Sequence, residues 1–414
     1  MLHAIAENFK KNHEKIEKFF KNKTEDLLPP LYLSCDIRNS GRKLGVIDTN
    51  LFPAGFNNLC NAYSRKTITA FKAYFERYYP KAKKIILLVE EHTRNRFYLD
   101  NIKKLNSFLQ SAGLETRLAY WGQEIDTPNF EVMLSDGSSL SLEKLNVQNG
   151  VPQMKGFEAD LVISNNDFSQ SPPEFLQAIA NKIIPNPALG WHKRRKNKHF
   201  EILAKVIEDF ASTLGLDPWL LGALFDVVEN IDFSKNEDLK RMTQQVEILF
   251  ERIQAYYQRF EISESPYVFI KNNAGTYGMG ITDIMQPEEI LQMNRRIRNK
   301  LLSSKGGQKA ESFLIQEGIP TADFYSGVPI EPVIYMVGFE VVGGFFRMNS
   351  ERDAMTSLNT RGMIFSCLCL HKIDEPHEER FLNCAEKSSL VELSSVMARL
   401  AALAAALEMK QAQA

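Results

Sequence analysis

The chain has 414 residues, of which 44% are hydrophobic and 24% are charged. This is the composition of a folded globular protein, and it excludes a disordered tail, a collagen-like fibre and a coiled-coil rod. The length suits two or three packed domains. Lys and Arg number 50 against 51 Asp and Glu, a formal net charge of −1. The basic excess that is usual in nucleic-acid-binding proteins is absent, so no nucleic-acid partner is expected.

The cysteines and the apolar segments favour a cytoplasmic protein without a membrane partner. No two cysteines have the C-x-x-C spacing of a zinc or redox site, so reduced thiols are expected. The N-terminus is interrupted by charges and lacks the apolar run of a signal peptide. No stretch approaches the ~20 apolar residues of a membrane span. The sequence leaves a homo-oligomer open. The cysteines are Cys35, Cys60, Cys367, Cys369 and Cys384.

Hydrophobic periodicity predicts alternating helices and strands in the first half of the chain. The strand–helix–strand order around KIILLVE predicts a βαβ unit of a parallel sheet. Further along, Asp136-Gly137 is typical of a hairpin turn. The predicted helices cover 1–26, 64–79 and 95–112, and the predicted strands cover 31–37, 43–50, 84–90, 115–121 and 159–164.

The second half begins with helices and changes to strands past Pro266. The C-terminal Ala/Leu-rich segment is predicted to be a docked helix. The predicted fold class is α/β, with a Rossmann-like half before about residue 190 and a mixed half after 262. The predicted helices cover 176–183, 200–214, 218–230, 237–260 and 385–410, and the predicted strands are YVFIK, SFLIQEG, EPVIYMVGF and EVVGGFFRMN.

A glycine-rich loop follows the strand YVFIK, which ends in Lys271. Glycines let backbone N–H groups turn toward an anion without Cβ obstruction, and a lysine adds a point charge. The segment is therefore a candidate phosphate site. Its spacing fits neither of the common phosphate-loop motifs, and an ordinary hairpin loop is the alternative. The candidate glycines are Gly275, Gly278 and Gly280.

Two later strands complete a recognisable order of parts. FLIQEG is one apolar strand with polar residues at its end, and GGFFRMN is another strand with Arg347 near its end. This order resembles the ATP-grasp fold of glutathione synthetases. The resemblance implies that Lys271 and the glycine loop hold ATP phosphates and that Arg347 stabilises the transferred phosphate. A surface ion pair is the alternative for Arg347. The hinge residues that would read adenine and ribose are Gln316, Glu317 and Ile319.

ATP-grasp enzymes end in strands that carry magnesium ligands, and this chain has no such motif after Arg347. An N-terminal hairpin offers one instead: Asp36 lies on one predicted strand, and Asp48 and Asn50 share a face of the next. Two carboxylates and an amide oxygen suit Mg²⁺ and leave room for phosphates. A circularly permuted ATP-grasp domain would explain this order. The alternative is that these residues only shape the turn.

Longer strings narrow the resemblance to one family. CDIRNSG, DTNLFPAGFNN, IPNPALGWHKRRKNKHF, IKNNAGTYGMGI and GGFFRMN resemble the proteobacterial, ATP-grasp-type glutamate–cysteine ligases. The resemblance implies that ATP phosphorylates the γ-carboxylate of glutamate and that the amine of cysteine attacks the acyl phosphate, the first step of glutathione synthesis. Such chemistry needs positioning and neutralised phosphate charge from Mg²⁺, Lys and Arg, but no protein nucleophile.

Other polar residues are candidates for binding the substrates. Arg38 and Asn57-Asn58 flank the predicted metal strands, and turn chemistry is their equal alternative. A basic run over 192–199 contains Arg194, a candidate anion-binding residue. Similarity to glutathione synthetases places Lys198 of this run near the nucleotide, and a solvated helix start is the alternative.

The resemblance also divides the chain into functional parts. Another ATP-grasp carboxylate–amine ligase stays open, because the residues alone do not fix the acceptor amine. A catalytically inactive nucleotide-binding regulator is a further alternative, although the retained Lys, Arg and metal-ligand candidates argue against it. The predicted parts are 1–63, a helix and hairpin completing the ATP-grasp site; 64–190, a Rossmann-like substrate domain; 191–262, a helical linker; and 263–414, the nucleotide-binding domain.

Overall fold

The computed structural model describes residues 1–90, 95–121, 129–134, 136–274, 280–302, 310–368 and 388–413. Most of its helices lie where the sequence predicts them, but the first predicted helix is two helices that meet at Asn12. In chain order, helices α1 to α9 are Leu2–Lys11, His13–Thr24, Ser64–Tyr78, Arg96–Ser111, Glu174–Gln177, Lys196–Leu214, Asn236–Arg259, Arg295–Leu302 and Ser388–Gln413.

The strands are short and mostly buried. In chain order, strands β1 to β19 are Tyr32–Asn39, Leu44–Asn50, Lys84–Leu88, Glu115–Tyr120, Asn129–Met133, Ser139–Lys144, Asn146–Gln148, Val151–Met154, Phe157–Glu158, Leu161–Ser164, Ile183–Ile184, Phe225–Val228, Val268–Asn272, Ile281–Ile284, Phe313–Glu317, Phe324–Tyr325, Val328–Val337, Glu340–Met348 and Ile364–Cys367.

The first large sheet has the strand order β11-β10-β3-β4-β6-β5. Its pairs are parallel from β11 through β6, and β5 pairs antiparallel with β6 across the turn at Asp136-Gly137. Strands β3 and β10 are almost wholly apolar and buried, as expected for strands covered on both faces. The parallel pairing and the hairpin predicted from the sequence are therefore observed.

The second large sheet joins the two ends of the chain. Its strand order is β19-β18-β17-β1-β2, with β16 also paired to β17. The N-terminal hairpin β1–β2 enters this sheet because β1 pairs antiparallel with β17, which in turn pairs with β18. Residues near position 36 consequently lie beside residues near position 347.

A smaller antiparallel sheet faces this hairpin. Its order is β12-β15-β13-β14, and one face packs on α7 and α8 around a separate apolar cluster that includes Met242, Val246 and Leu249. The opposite face presents Lys271 on β13 and Gln316 on β15. The site lies where this sheet meets β1 and β2.

Two predicted helices are wrong or shortened. Residues 218–230 form a 3-10 turn, Pro218–Leu221, followed by strand β12. Asp217 caps the turn by accepting from the backbone N–H of Trp219, and the β-branched pair after Phe225 favours an edge strand on β15. The helix predicted over 176–183 ends at Gln177 and gives way to β11.

The C-terminal helix α9 forms part of the core. The expectation that no stretch is apolar enough for a membrane span is wrong for Ser389–Ala412, which is long and apolar enough by length and composition. However, 72% of its most apolar window is buried inside the protein. It packs on α6 and on strands β1, β2, β17 and β18. A mostly buried apolar helix of this kind is typical of a protein core.

Candidate active site

A small cavity lies between the hairpin β1–β2 and the small antiparallel sheet. Its volume is about 30 Å³, room for one or two water molecules. Most of the polar groups around it are charged, which is unusual for an interior and marks the cavity as the candidate site. It is lined by Asp36, Arg38, Ile47, Asp48, Phe269, Lys271, Ile281, Glu331, Ser357 and Asn359.

Charges of opposite sign alternate along one wall of the cavity. Arg347 Nη1 donates to Asp36 Oδ2 and to Glu331 Oε1, both at 2.6 Å. Arg38 Nε donates to the other oxygen of Glu331 at 2.8 Å. Antiparallel pairing explains the arrangement, because Glu331 and Arg347 are partners on β17 and β18. Burial and the carboxylate of Glu331 raise the pKa of Asp36 against the opposing effect of Arg347.

A second set of charges surrounds Asp48, which is the register partner of Asp36 on β2. Lys196, at the start of α6, forms a direct ion pair with Asp48 Oδ1 and lies 4.8 Å from the ring centre of Trp191. Burial alone would raise the pKa of Asp48, but Lys196 and Lys271 hold it below its ordinary value. The carboxylate therefore stays ionised at neutral pH.

Lys271 connects the two sheets at the cavity. Its Nζ donates to the carbonyl of Ile47 at 2.9 Å and to Gln316 Oε1 at 2.6 Å. Burial lowers the pKa of Lys271 to about 8, with Asp48 acting in the opposite direction. This lysine is therefore mostly charged at neutral pH, but it loses its charge at a lower pH than an ordinary lysine does.

The predicted hinge residues differ in what their side chains can reach. Gln316 is fully buried, and its Nε2 has no hydrogen-bond partner in the described part of the chain. Glu317 is fully engaged instead: it accepts two bonds from Lys43 at 2.9 Å and one from the indole of Trp219 at 3.1 Å. Ile319 offers its carbonyl to Arg38 at 3.2 Å. Among the side chains of these three residues, that of Gln316 keeps a polar atom without a partner in the described part of the chain.

Lys198, predicted to approach the nucleotide, faces solvent in this structure. Its side chain is 68% exposed and pairs with Glu201 at 3.2 Å. Two residues earlier on the same helix, Lys196 is buried and reaches Asp48. A two-residue offset rotates a side chain by about 200° around a helix, so the basic run supplies a cation to the site from a different position.

Arg38 and Arg194, which are predicted to bind substrates, both form buried ion pairs within the protein. Arg38 donates to Glu331 and to the carbonyls of Ile319 and Thr356. Arg194 binds Glu408, on the last helix, through Nε at 2.7 Å and Nη2 at 3.0 Å. Their buried guanidinium groups are thus engaged by internal acceptors, although Arg38 still borders the cavity.

The remaining predicted residues lie at or beside the site. Asn50 shares β2 with Asp48, and its Oδ1 accepts from the backbone N–H of Phe52 at 2.9 Å. Asn57 and Asn58 form a 3-10 turn after the hairpin, and the buried Oδ1 of Asn57 has no partner among the described residues. Gly280 has φ +65 and accepts from the N–H of Asn272. Gly275 and Gly278 lie outside the described residues.

Sequence reasoning missed two charged residues of the site, Glu331 and Lys196. Glu331 lies within the otherwise apolar segment PIEPVIYMV, and a lone acid in a buried strand was the available signal, since such a charge requires a buried partner. For Lys196 the signal was only the basic run, whose inward-facing member depends on where helix α6 begins.

The fold is mixed α/β, and its charged cavity marks the candidate site of an enzyme. A family model for glutamate–cysteine ligase, GshA, matches residues 6–409. The chain therefore belongs to the glutamate–cysteine ligase family. The activity predicted from the sequence, the joining of glutamate to cysteine with the use of ATP, is confirmed at the level of this family.

Comparison with solved structures agrees with this assignment. A crystal structure from Methylobacillus flagellatus KT, assigned to gamma-glutamylcysteine synthetase, matches with a TM-score of 0.88 and 32% identity over 99% of this chain and 96% of that chain. No curated protein sequence matches the chain significantly.

Two further solved structures are much less similar. They are a glutathione synthetase-like effector from Globodera pallida (TM-score 0.38, 11% identity, 88% of this chain and 84% of that chain) and D-alanyl-alanine synthetase A from Vibrio cholerae (0.37, 9%, 80% and 81%). Their similarity is too low to support an argument about this chain.

Proposed function

We propose that ATP binds with Mg²⁺ between the hairpin β1–β2 and the small antiparallel sheet, with the ion and the terminal phosphate at the cavity, and that the ligase reaction passes through an acyl phosphate. One observation carries this proposal: Asp36 and Asp48, opposite each other on neighbouring strands, line the same cavity as Lys271. Carboxylates suited to a divalent cation and an ammonium group suited to phosphate thus share one cleft.

The two carboxylates meet part of the ligand requirement of Mg²⁺. Among the described residues, no group of three or more His, Cys, Asp or Glu side chains is placed to hold a metal. Asp36 and Asp48 still fit, because Mg²⁺ is commonly held by one or two carboxylates together with substrate phosphates and water. Asn50 is the third candidate ligand. When bound, the ion would neutralise phosphate charge.

The reaction that this site supports has two steps. A γ-carboxylate oxygen of glutamate attacks the terminal phosphorus of ATP, and ADP leaves. The amine of cysteine then attacks the acyl carbon, phosphate leaves with the C–O electron pair, and the amine loses a proton. Neither step needs a protein nucleophile, so the contribution of the protein is orientation and charge.

Four side chains would supply that contribution. Lys271 and Lys196 would face the phosphates, and Arg347 would stabilise the phosphoryl group during transfer. Asp36 and Glu331 fix the guanidinium of Arg347 from two sides. The unpartnered Nε2 of Gln316 is suited to donate to the nucleotide. The glycine loop is also proposed to bind ATP, and Asn57 and Asn58 are proposed to bind the amino-acid substrates.

We infer an ATP-grasp-like, circularly permuted fold with a Rossmann-like domain over 64–190. Support comes from the N-terminal hairpin, which lies in one sheet with β18, so that Asp36 is 2.6 Å from Arg347 across 311 positions of sequence. In an ATP-grasp domain without the permutation, these residues would lie on one continuous C-terminal segment. The protein is inferred to act in the cytoplasm on small-molecule substrates.

The test is product analysis with the purified protein. ADP and phosphate should form only when ATP, Mg²⁺, glutamate and cysteine are all present, and other amines should replace cysteine poorly. Formation of AMP and pyrophosphate would contradict the acyl phosphate and indicate adenylation. ADP formation with a different amine at the higher rate would identify another carboxylate–amine ligase.

A further inference from the structure

Lys196 occupies the position beside Asp48 that a metal ion would need. The ion pair between Lys196 Nζ and Asp48 Oδ1 is direct, and the lysine side chain is only 6% exposed. Asp36, the other carboxylate, is likewise engaged by Arg347 at 2.6 Å. Both proposed carboxylate ligands are therefore neutralised by cations of the protein itself.

The charge of the described residues around the cavity is also unfavourable to a free cation. Three carboxylates, Asp36, Asp48 and Glu331, face four cationic groups at or beside the cavity, which leaves a net charge of +1. These cations are Arg38, Lys196, Lys271 and Arg347. The excess positive charge would repel a further cation strongly in this partly desolvated site.

The ligand set gives an independent reason. No group of three or more potential metal-ligating side chains of the His, Cys, Asp and Glu types occurs among the described residues, so the protein offers no complete cage. Mg²⁺ loses its water reluctantly and needs further oxygen ligands. Triphosphate oxygens would supply both these ligands and the negative charge that the cleft lacks.

We infer that Lys196 excludes free divalent cations from the nucleotide-free site, and that metal enters only with the nucleotide. Lys196 is the exchanging cation: it neutralises Asp48 before loading and turns to the phosphates when the metal–nucleotide complex arrives. Its Nζ lies 4.8 Å from the ring centre of Trp191. This inference rests on the metal site of the proposed function.

The test is equilibrium binding of Mn²⁺, a spectroscopic substitute for Mg²⁺, to the full chain by electron paramagnetic resonance. In the wild type, the complex of Mn²⁺ with a non-hydrolysable ATP analogue should bind at least about tenfold more tightly than Mn²⁺ alone, after chelation by the analogue without protein is subtracted. In Lys196→Met, Mn²⁺ alone should bind at least about tenfold more tightly than to the wild type, the scale expected when one adjacent charge is removed. The analogue should bind more weakly.

Matched variants make the result specific. Lys193→Met removes an exposed lysine from the same basic run and should leave Mn²⁺ binding unchanged. Adding Asp48→Asn to Lys196→Met should abolish the gained affinity. Lys196→Gln, which retains a hydrogen-bond donor toward Asp48, provides a second variant whose folding can be checked by circular dichroism.

The possible outcomes distinguish the exclusion role of Lys196 from the existence of the metal site. Equal Mn²⁺ affinity with and without nucleotide in the wild type, or no gain in either Lys196 variant, would overturn the exclusion role while leaving the metal site in place. Absence of Mn²⁺ binding even with the nucleotide analogue would overturn the metal site of the proposed function, and the exclusion role with it.

Discussion

Arg194 and Glu408, which are 214 positions apart in sequence, form a buried ion pair with two contacts, at 2.7 and 3.0 Å. Arg194 Nη1 also donates to the carbonyl of Thr49 at 2.9 Å. Thr49 lies between Asp48 and Asn50 on β2. The last helix of the chain thereby fixes the strand that carries the proposed metal ligands.

Removing one partner of this pair should destabilise the fold. In Glu408→Ala, the buried guanidinium of Arg194 loses its carboxylate, and we expect a loss of about 3–5 kcal/mol in the free energy of unfolding. Denaturant unfolding measures it. Glu392→Ala, an exposed site on the same helix, should change stability by no more than ~0.5 kcal/mol. Equal effects in the two variants would mean that the pair contributes little.

The same pair should give a defined pH dependence. Although burial alone would raise it, Arg194 and His199 lower the pKa of Glu408 to about 2 from an ordinary value of 4.5. A depressed pKa contributes stability that is present above pH 4.5 and is lost as the pH falls toward 2.

Glu408→Gln tests that dependence. The difference in unfolding free energy between the wild type and this variant should include about 3 kcal/mol from the shifted pKa at pH 7 and should narrow below pH 4.5. Unfolding at pH 7, 4 and 3 compares the two proteins. A gap that stays constant down to pH 3 would show that the carboxylate is not stabilised in its ionised form.

Local sequence patterns predicted the elements that position the site. Asp48 and Asn50, two residues apart on a strand, indicated one face of a hairpin, and the apolar strand before Lys271 indicated a loop-facing lysine. These features depend on short-range periodicity. They were accessible because the strands concerned are apolar and bounded by turns.

The pairing of distant strands could not be predicted from such local patterns. That Glu331 lies between Arg38 and Arg347 follows from the register of β17 against β18 and β1, which no local pattern fixes. The choice of Lys196 over Lys198 depends on the first residue of α6, and element boundaries are the least certain part of a sequence prediction. Residues 218–230 became a turn and a strand because β15 provided an edge to pair with.

Lys271 should make nucleotide capture depend on pH. Because burial lowers its pKa to about 8, the free enzyme loses the ammonium charge above that pH. We expect kcat/KM for ATP, which reports groups of the free enzyme, to fall as the pH rises through about 8. The pH profile with saturating amino acids measures this effect.

Variants at the same position identify the group responsible. Lys271→Ala should raise the KM for ATP and lower kcat at every pH, since a phosphate-facing charge is lost. Lys271→Arg, which stays charged, should retain part of the activity and lose the decline above pH 8. Wild-type kinetics in the alanine variant would place the phosphates elsewhere.

Asp48→Asn is the sharpest test of the metal site. The change preserves size and removes one carboxylate charge, so we expect loss of activity or a rise of at least about tenfold in the Mg²⁺ requirement. Because Lys196 is buried against Asp48, the variant should also lose about 1–3 kcal/mol of stability. The double variant Asp48→Asn/Lys196→Met removes the unpaired ammonium and should regain most of that stability, but not the activity. Magnesium titrations and thermal unfolding of both variants separate the effects. A stability loss with an unchanged Mg²⁺ requirement would mean that Asp48 only shapes the hairpin and that the metal is held elsewhere.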